Sequence, residues 1–164
     1  MEKQVKTTGA WWRVILCIIA PLLVGGVASL IAGGRMATFS NLNLPPLAPP
    51  AILFPIVWTI LYILMGVASF LIWKAGRGAK KEASKTALIL YGIQLALNFG
   101  WTIVFFNLGQ YWMAFAWLVV LLIMVIALTV KTAGLSKAAM WMLVPYVVWC
   151  LFAGYLNLMI AILN

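Results

Sequence analysis

Five long apolar runs, separated by short connections, constrain this chain more than any other feature. They extend approximately from Trp12 to Gly33, Ala51 to Trp73, Ala87 to Phe106, Trp112 to Val130 and Ala138 to Leu163. Each is about the 20 residues that a helix needs to cross a bilayer. The expected fold is therefore an all-α bundle of five membrane-spanning helices. Only the connection from Gly34 to Pro50 is long, which leaves no room for a soluble unit and makes residues 1–164 one membrane domain. Composition agrees: the mean hydropathy is +1.14, with 66% hydrophobic and 8% charged residues.

The first run follows Lys3, Lys6 and Arg13 and contains Val27-Ala28-Ser29, features shared with a cleaved secretory signal. Its apolar length exceeds a signal core, and Gly25, Gly26 and Ser29 form a small-residue ridge suited to helix packing, so it is read as a retained span. Cationic residues then set direction. Lys3, Lys6, Arg13, Lys74, Arg77, Lys80, Lys81, Lys85, Lys131 and Lys137 fall on one side, and Arg35 alone falls on the other. Cationic loops stay inside, so the N-terminus is expected in the cytoplasm and Asn164 outside. The net charge of +9 lies between apolar blocks rather than on a soluble face. It fits anionic lipid headgroups and topology, and nucleic acid is not an expected partner.

No histidine occurs, and the acidic residues Glu2 and Glu82 lie outside the spans. Proton relays, metal cages and acid/base pairs therefore have nothing to be built from, and no metal site is expected. Cys17 and Cys150 sit inside apolar runs without ligand spacing and read as small buried hydrophobes.

The spans do carry uncharged polarity and aromatic surface at helical spacing. Tyr91, Gln94, Asn98, Trp101 and Phe105 follow steps of three or four and share one face of the third span. An amide in hydrocarbon is costly unless paired, so Gln94 and Asn98 must face either a neighbouring helix or a ligand; the sequence leaves both open. The fifth span presents Tyr146, Trp149, Ala153 and Asn157, and the second Trp58, Tyr62, Met65 and Ser69. Trp11, Trp12, Trp73, Trp112 and Trp141 lie near span ends, where tryptophan anchors the interface. Trp58, Trp101 and Trp149 lie deeper.

Five of the seven prolines fall between Pro45 and Pro55. Pro49 and Pro50 can occupy the first turn of the second span, with Pro45 and Pro46 holding the preceding chain extended. This stiff connection is expected to form a preorganised lid over a pocket between spans two, three and five, although it serves equally as a simple loop end and helix start. Pro55 and Pro145 are expected to kink their spans one turn from Trp58 and Trp149.

These residues resemble the TspO/translocator protein family, which includes tryptophan-rich sensory proteins and the peripheral-type benzodiazepine receptor. The resemblance covers nearly the whole chain. It rests on Pro-Pro-Leu-Ala-Pro-Pro from Pro45 to Pro50, on Pro55-x-x-Trp58-x-x-Leu61-Tyr62-x-x-Met65-Gly66, on Gln94-Leu95-x-Leu97-Asn98-x-x-Trp101-x-x-x-Phe105-Phe106, and on Pro145-Tyr146-x-x-Trp149-x-x-Phe152-Ala153-x-x-Leu156-Asn157. It implies a five-helix bundle, often a homodimer, that binds porphyrins and hydrophobic aromatic ligands with no required cofactor. By resemblance, Trp58, Tyr62, Gln94, Asn98, Trp101, Tyr146, Trp149 and Ala153 line the pocket, and Pro45, Leu47, Pro49 and Pro50 belong to its lid. In some bacterial members the tryptophans matching Trp58 and Trp149 support light-dependent porphyrin breakdown, which makes these two the candidate catalytic groups.

The sequence departs from the family pattern in its lid. Leu47 stands where tryptophan is usual, Leu44 where lysine is usual, and Thr38-Phe39 where a Trp-Tyr pair is usual. The animal cholesterol motif fails at Leu158, so sterol is not an expected ligand. The leading expectation is a tetrapyrrole-binding protein of the bacterial cytoplasmic membrane, with membrane lipids around it and Gln94 and Asn98 bonding the ligand's polar edge. Arg35 either meets a propionate at the rim or stands as an ordinary surface arginine. Porphyrin photodegradation and passive transport of small hydrophobic molecules are the alternatives. Small residues such as Gly25, Ser29, Ala96 and Gly100 serve packing within a protomer as readily as between two.

Overall fold

The computed structural model describes residues 11–33, 39 and 41–164. The expectations placed on Lys3, Lys6, Arg35 and Thr38 lie outside the described residues. Among the described residues, five helices are long and apolar enough to cross a membrane: α1 (Trp11–Ala32), α2 (Leu53–Ala75), α3 (Lys81–Thr102), α4 (Tyr111–Ala133) and α5 (Lys137–Leu163). Their most apolar 18-residue windows have mean hydropathies between 1.6 and 2.9, the lowest being that of the third span. That span carries the polar stripe.

Each helix packs on its ring neighbours in the order α1, α2, α5, α4, α3 and back to α1, and α2 also meets α3 across the middle. The core follows the stripes read from the sequence. Met65 and Ile72 of α2, Leu121 and Val125 of α4 and Leu143 and Tyr146 of α5 are fully enclosed. By contrast α1 buries only Pro21, Ala28 and Ala32, and reaches the bundle through glycine. A Cβ added at Gly66 of α2 would lie 2.5 Å from Ile18 Cα and 2.7 Å from Cys17 O, so the backbones of α1 and α2 touch there. Small residues permit this approach, which stands in for the hydrophobic drive that lipid removes.

The helix ends follow local chemistry. Ser136 has extended backbone angles and accepts a bond from Ala139 N at 3.3 Å, capping α5. Pro55, not Pro49 or Pro50, occupies the first turn of α2. Pro50 instead lies just before the helix, its carbonyl accepting from Leu53 N at 2.9 Å. Because a first-turn proline displaces no helical hydrogen bond, Pro55 does not kink α2 as expected from sequence. Pro145 does lie inside α5, and Pro21 lies inside α1.

α3 starts a turn and a half earlier than the apolar run, because Lys81 and Lys85 continue it toward water. At its other end it widens into a π-helical turn, Ile103–Asn107, with Leu108 N donating to Ile103 O at 3.1 Å. Phe105 thereby stacks on Trp101, with centroids 5.2 Å apart, while Phe106 turns toward α1 and α2. A single wide turn of this kind often marks a functional site.

All described cationic residues gather at one end of the bundle. Arg13 stacks over the Trp73 ring at 4.9 Å, tying the start of α1 to the end of α2, and Lys80 Nζ donates to Gly134 O at 3.2 Å between two connections. Trp11, Trp12, Trp73, Trp112 and Trp141 are all exposed near helix ends, as interfacial anchors would be.

Candidate ligand site

The centre of the site is Asn98 on α3. Tyr62 Oη on α2 donates to Asn98 Oδ1 at 2.7 Å, and Asn98 Nδ2 donates to Tyr146 Oη on α5 at 3.3 Å. Asn98 is 1% exposed, so its amide is consumed in joining three helices. One turn earlier, Gln94 is fully buried and neither of its amide atoms has a hydrogen-bond partner. Of the two amides of one stripe, Asn98 thus joins neighbouring helices and Gln94 does not.

Around Asn98 stands a cluster of rings. Trp58 stacks on Tyr62 at 5.5 Å and meets Trp149 edge to face at 6.4 Å and Tyr146 at 6.1 Å. Phe54 abuts Trp149 at 6.0 Å and Phe39 at 5.2 Å. The Trp149 indole N–H is buried without a partner. Ala153, one turn beyond Trp149, is buried as the small neighbour that the ring needs. Trp101 is held differently: its Nε1 donates to Asn157 Oδ1 at 3.1 Å, and Asn157 Nδ2 donates to Tyr111 O at 2.9 Å. This chain locks α3, α5 and α4 together and leaves only the Trp101 ring for contact.

The open space is not where the sequence placed it. The expected pocket between α2, α3 and α5 is filled by these side chains. A cavity of about 250 Å³ lies instead between α1, α2 and α3. Trp58, Tyr62 and Trp101 form one wall, Phe106 and Thr102 close it, and Gly25, Gly26 and Ser29 of α1 form the other side. Gly25 is obligatory there, since any Cβ would collide with the Tyr62 ring. A second cavity of about 280 Å³ lies under the first connection, lined by Phe39, Ala51, Ile52, Phe54, Pro55 and Phe106. Phe54, Pro55 and Phe106 are common to both, so the two spaces adjoin.

Of the expected site residues, Trp58, Tyr62 and Trp101 line the open cavity, whereas Gln94, Asn98, Tyr146, Trp149 and Ala153 form the packed cluster behind it. Among the lid residues, Pro45 is buried, but Leu47 is 80% exposed and contacts no cavity. Pro49 and Pro50 brace the connection without lining either space. The wall supplied by α1 went unread as ligand surface, because Gly25, Gly26 and Ser29 signal helix packing more strongly than ligand contact. Phe106 carried a faint signal as the second ring of Phe105-Phe106.

The connection is clasped to the end of α5. Asn43 N donates to Asn164 Oδ1 at 2.9 Å, Asn164 Nδ2 donates to Asn43 O at 3.2 Å, and Asn43 Nδ2 donates to Leu163 O at 3.3 Å. Farther along, Tyr155 Oη donates to Pro46 O at 2.8 Å. These bonds tie the described part of the connection to α5.

Comparison with known proteins agrees with this architecture. The tryptophan-rich protein TspO of Chlorobaculum tepidum is 38% identical over 165 residues, covering 100% of this chain and 99% of the relative. The translocator protein homolog of Schizosaccharomyces pombe is 40% identical over 126 residues, 77% of each chain. The translocator protein of Ovis aries is 38% identical over 127 residues, covering 77% of this chain and 75% of its own length. The TspO/MBR family profile matches residues 17–163, and this five-helix integral membrane protein belongs to that family.

Proposed function

We propose that this protein is a membrane receptor for tetrapyrroles and similar flat aromatic molecules, set in a bacterial cytoplasmic membrane with its cationic end inside. The observation that carries this reading is an aromatic wall beside open space, with unpartnered polar groups directly behind it. Trp58, Tyr62, Trp101 and Phe106 bound the cavity, and the Gln94 amide and the Trp149 indole N–H are, with the Tyr91 hydroxyl, among the described buried groups that make no hydrogen bond. An apolar cavity with a few convergent polar groups suits a flat ring system with polar substituents. Leaving such groups unpaired costs about 1–3 kcal/mol each, which a ligand carbonyl or carboxylate would offset. Trp149 meets the cavity-lining Trp58 edge to face, so a ligand would have to displace the Trp58 ring to reach it. The relatives' name, translocator protein, fits a site that takes up a hydrophobic molecule within the bilayer.

The test is a titration of purified protein with protoporphyrin in the dark, following tryptophan fluorescence and the porphyrin absorption band. Saturable quenching that weakens in Trp58→Phe and Trp149→Phe supports the site. Saturable binding unaffected by either change, or no saturable binding, sinks it.

Light-driven porphyrin breakdown is a second reading, favoured by the contact of Trp58 with Trp149, Tyr62 and Tyr146. An electron passed from Trp58 to a photoexcited ring leaves an indole radical cation, which the adjoining rings can share; dioxygen is the oxidant that ring opening consumes. Equal photoproduct yield from the Trp58→Phe/Trp149→Phe double variant removes this reading.

A further inference from the structure

We infer that the cavity beside Trp58 is a port to the bilayer: it takes apolar molecules bearing a hydrogen-bond acceptor directly from the lipid, sideways past Gly26 and Ser29 of α1. The inference rests on reading the Trp58 wall as a ligand surface and concerns how that surface is reached.

Three observations carry it. First, the residues that frame the cavity on its outer side, Gly26 and Ser29 of α1 and Pro55 and Thr59 of α2, are exposed on the outside of the bundle. Gly26 lies six residues before the end of α1, a depth of roughly 9 Å at the helical rise, which is within the hydrocarbon. What faces this opening is therefore lipid, not water. Second, at Gly26 α1 presents no side chain to the opening. A Cβ at Gly26 would meet nothing within 4 Å, whereas at the adjacent Gly25 it would collide with Tyr62. The helix thus presents bare backbone at the mouth and a ring at the floor.

Third, the described part of the first connection is tied down at the other route, the loop end. The Asn43 and Asn164 bonds and the Tyr155 bond to Pro46 O fasten the first connection over the loop end. The polar groups at the port are donors of the right kind. Thr59 and Thr102 spend their hydroxyls on Pro55 O and Asn98 O, at 2.7 and 3.3 Å. Among the described residues, the Ser29 hydroxyl and the Trp58 indole N–H make no hydrogen bond, and both belong to residues that line the cavity. Two free donors in an apolar, lipid-facing recess select a molecule that carries a carbonyl, ester or carboxyl acceptor on an otherwise apolar frame.

The experiment reconstitutes the protein in lipid nanodiscs with an apolar aryl diazirine carrying one carbonyl group, photolyses it and maps the adducts by mass spectrometry. Trp58 and Thr102 should be labelled in the native protein. Gly26→Trp, whose Cβ meets nothing within 4 Å and whose ring would fill the mouth, should cut that labelling roughly tenfold or more, a loss of about 1.4 kcal/mol in occupancy. Ser29→Leu provides a second obstruction should the first disturb folding. Opening the clasp with Asn43→Ala and Asn164→Ala should leave labelling unchanged. Labelling that survives both obstructions, or rises when the clasp is opened, means entry through the loop end and overturns the port. Absence of adducts at Trp58 and Thr102 in the native protein overturns it equally. Protoporphyrin added as competitor separates the two ideas: adducts that form through the port but are not displaced leave the port standing and count against the tetrapyrrole ligand.

Discussion

Asn98 shows how one side chain can hold three membrane helices in register. Its oxygen takes the Tyr62 hydroxyl and its nitrogen meets the Tyr146 hydroxyl, and both bonds are buried. Asn98→Leu should strand both hydroxyls, at roughly 1–3 kcal/mol each, and lower the thermal unfolding midpoint in detergent. Tyr62→Phe should cost less, about 0.5–2 kcal/mol, since Asn98 keeps its other partner. The double variant should then be markedly less destabilised than the sum, and strict additivity in that cycle would show that the pair does not interact. Leu47 is a second residue-scale case. Pro45 to Ala48 form a turn, with Ala48 N donating to Pro45 O at 3.2 Å, and Leu47 sits at φ 70, where a side chain is strained by roughly 1–2 kcal/mol. Leu47→Gly should relieve more strain than it adds in chain freedom and slow hydrogen exchange at the Ala48 amide. Faster exchange would mean that the leucine contributes contacts that outweigh its backbone.

At the scale of elements, α1 is the loosest and the most informative. Its contact with α2 depends on Gly66, where the two backbones meet, and on Gly25, where the Tyr62 ring lies. Gly66→Ala should separate α1 from α2 and destabilise by about 1–3 kcal/mol, because backbone cannot yield as a flexible side chain can. Gly26→Ala should be neutral or slightly stabilising through helix propensity. Equal melting shifts for the two would refute the close approach. The five elements themselves were legible, since a bilayer demands length and hydropathy and the runs supply both. Two features were not. Pro55 reads as a kink only if α2 starts at Ala51, and a two-residue change in where the helix begins turns it into a first-turn proline. The π turn at Ile103–Asn107 leaves no composition signal, yet it decides that Phe106 faces the cavity. The pocket was misplaced for a related reason. Stripes on three helices show which faces meet, but not whether the rings between them leave space; here Trp58, Tyr62 and Trp149 pack against one another, and the void falls where glycine leaves α1 without side chains.

For the molecule as a whole, two ends of opposite character follow from the distribution of charge. One end holds every described lysine and arginine, and the other holds the proline-rich connection, the Asn107-Leu108-Gly109-Gln110 turn and the clasp at Asn164. On the proposed orientation, with the cationic end in the cytoplasm, the two cavities, which lie toward the clasped end, fall in the outer half of the membrane. On that orientation a molecule arriving through the α1 side would come from the outer leaflet. A direct test uses a background in which Cys17 and Cys150 are alanine, with single cysteines at Ala79, in the cationic connection, or Gln110, in the uncharged turn; both positions are exposed. In intact spheroplasts a membrane-impermeant maleimide should label Gln110→Cys at once and Ala79→Cys only after permeabilisation. The reverse pattern would invert the bundle and place the cavities beside the inner leaflet. Because the fold stays the same in either case, that result would move the source of ligand from one leaflet to the other while leaving the aromatic wall, the clasp and the bare face of α1 as they are.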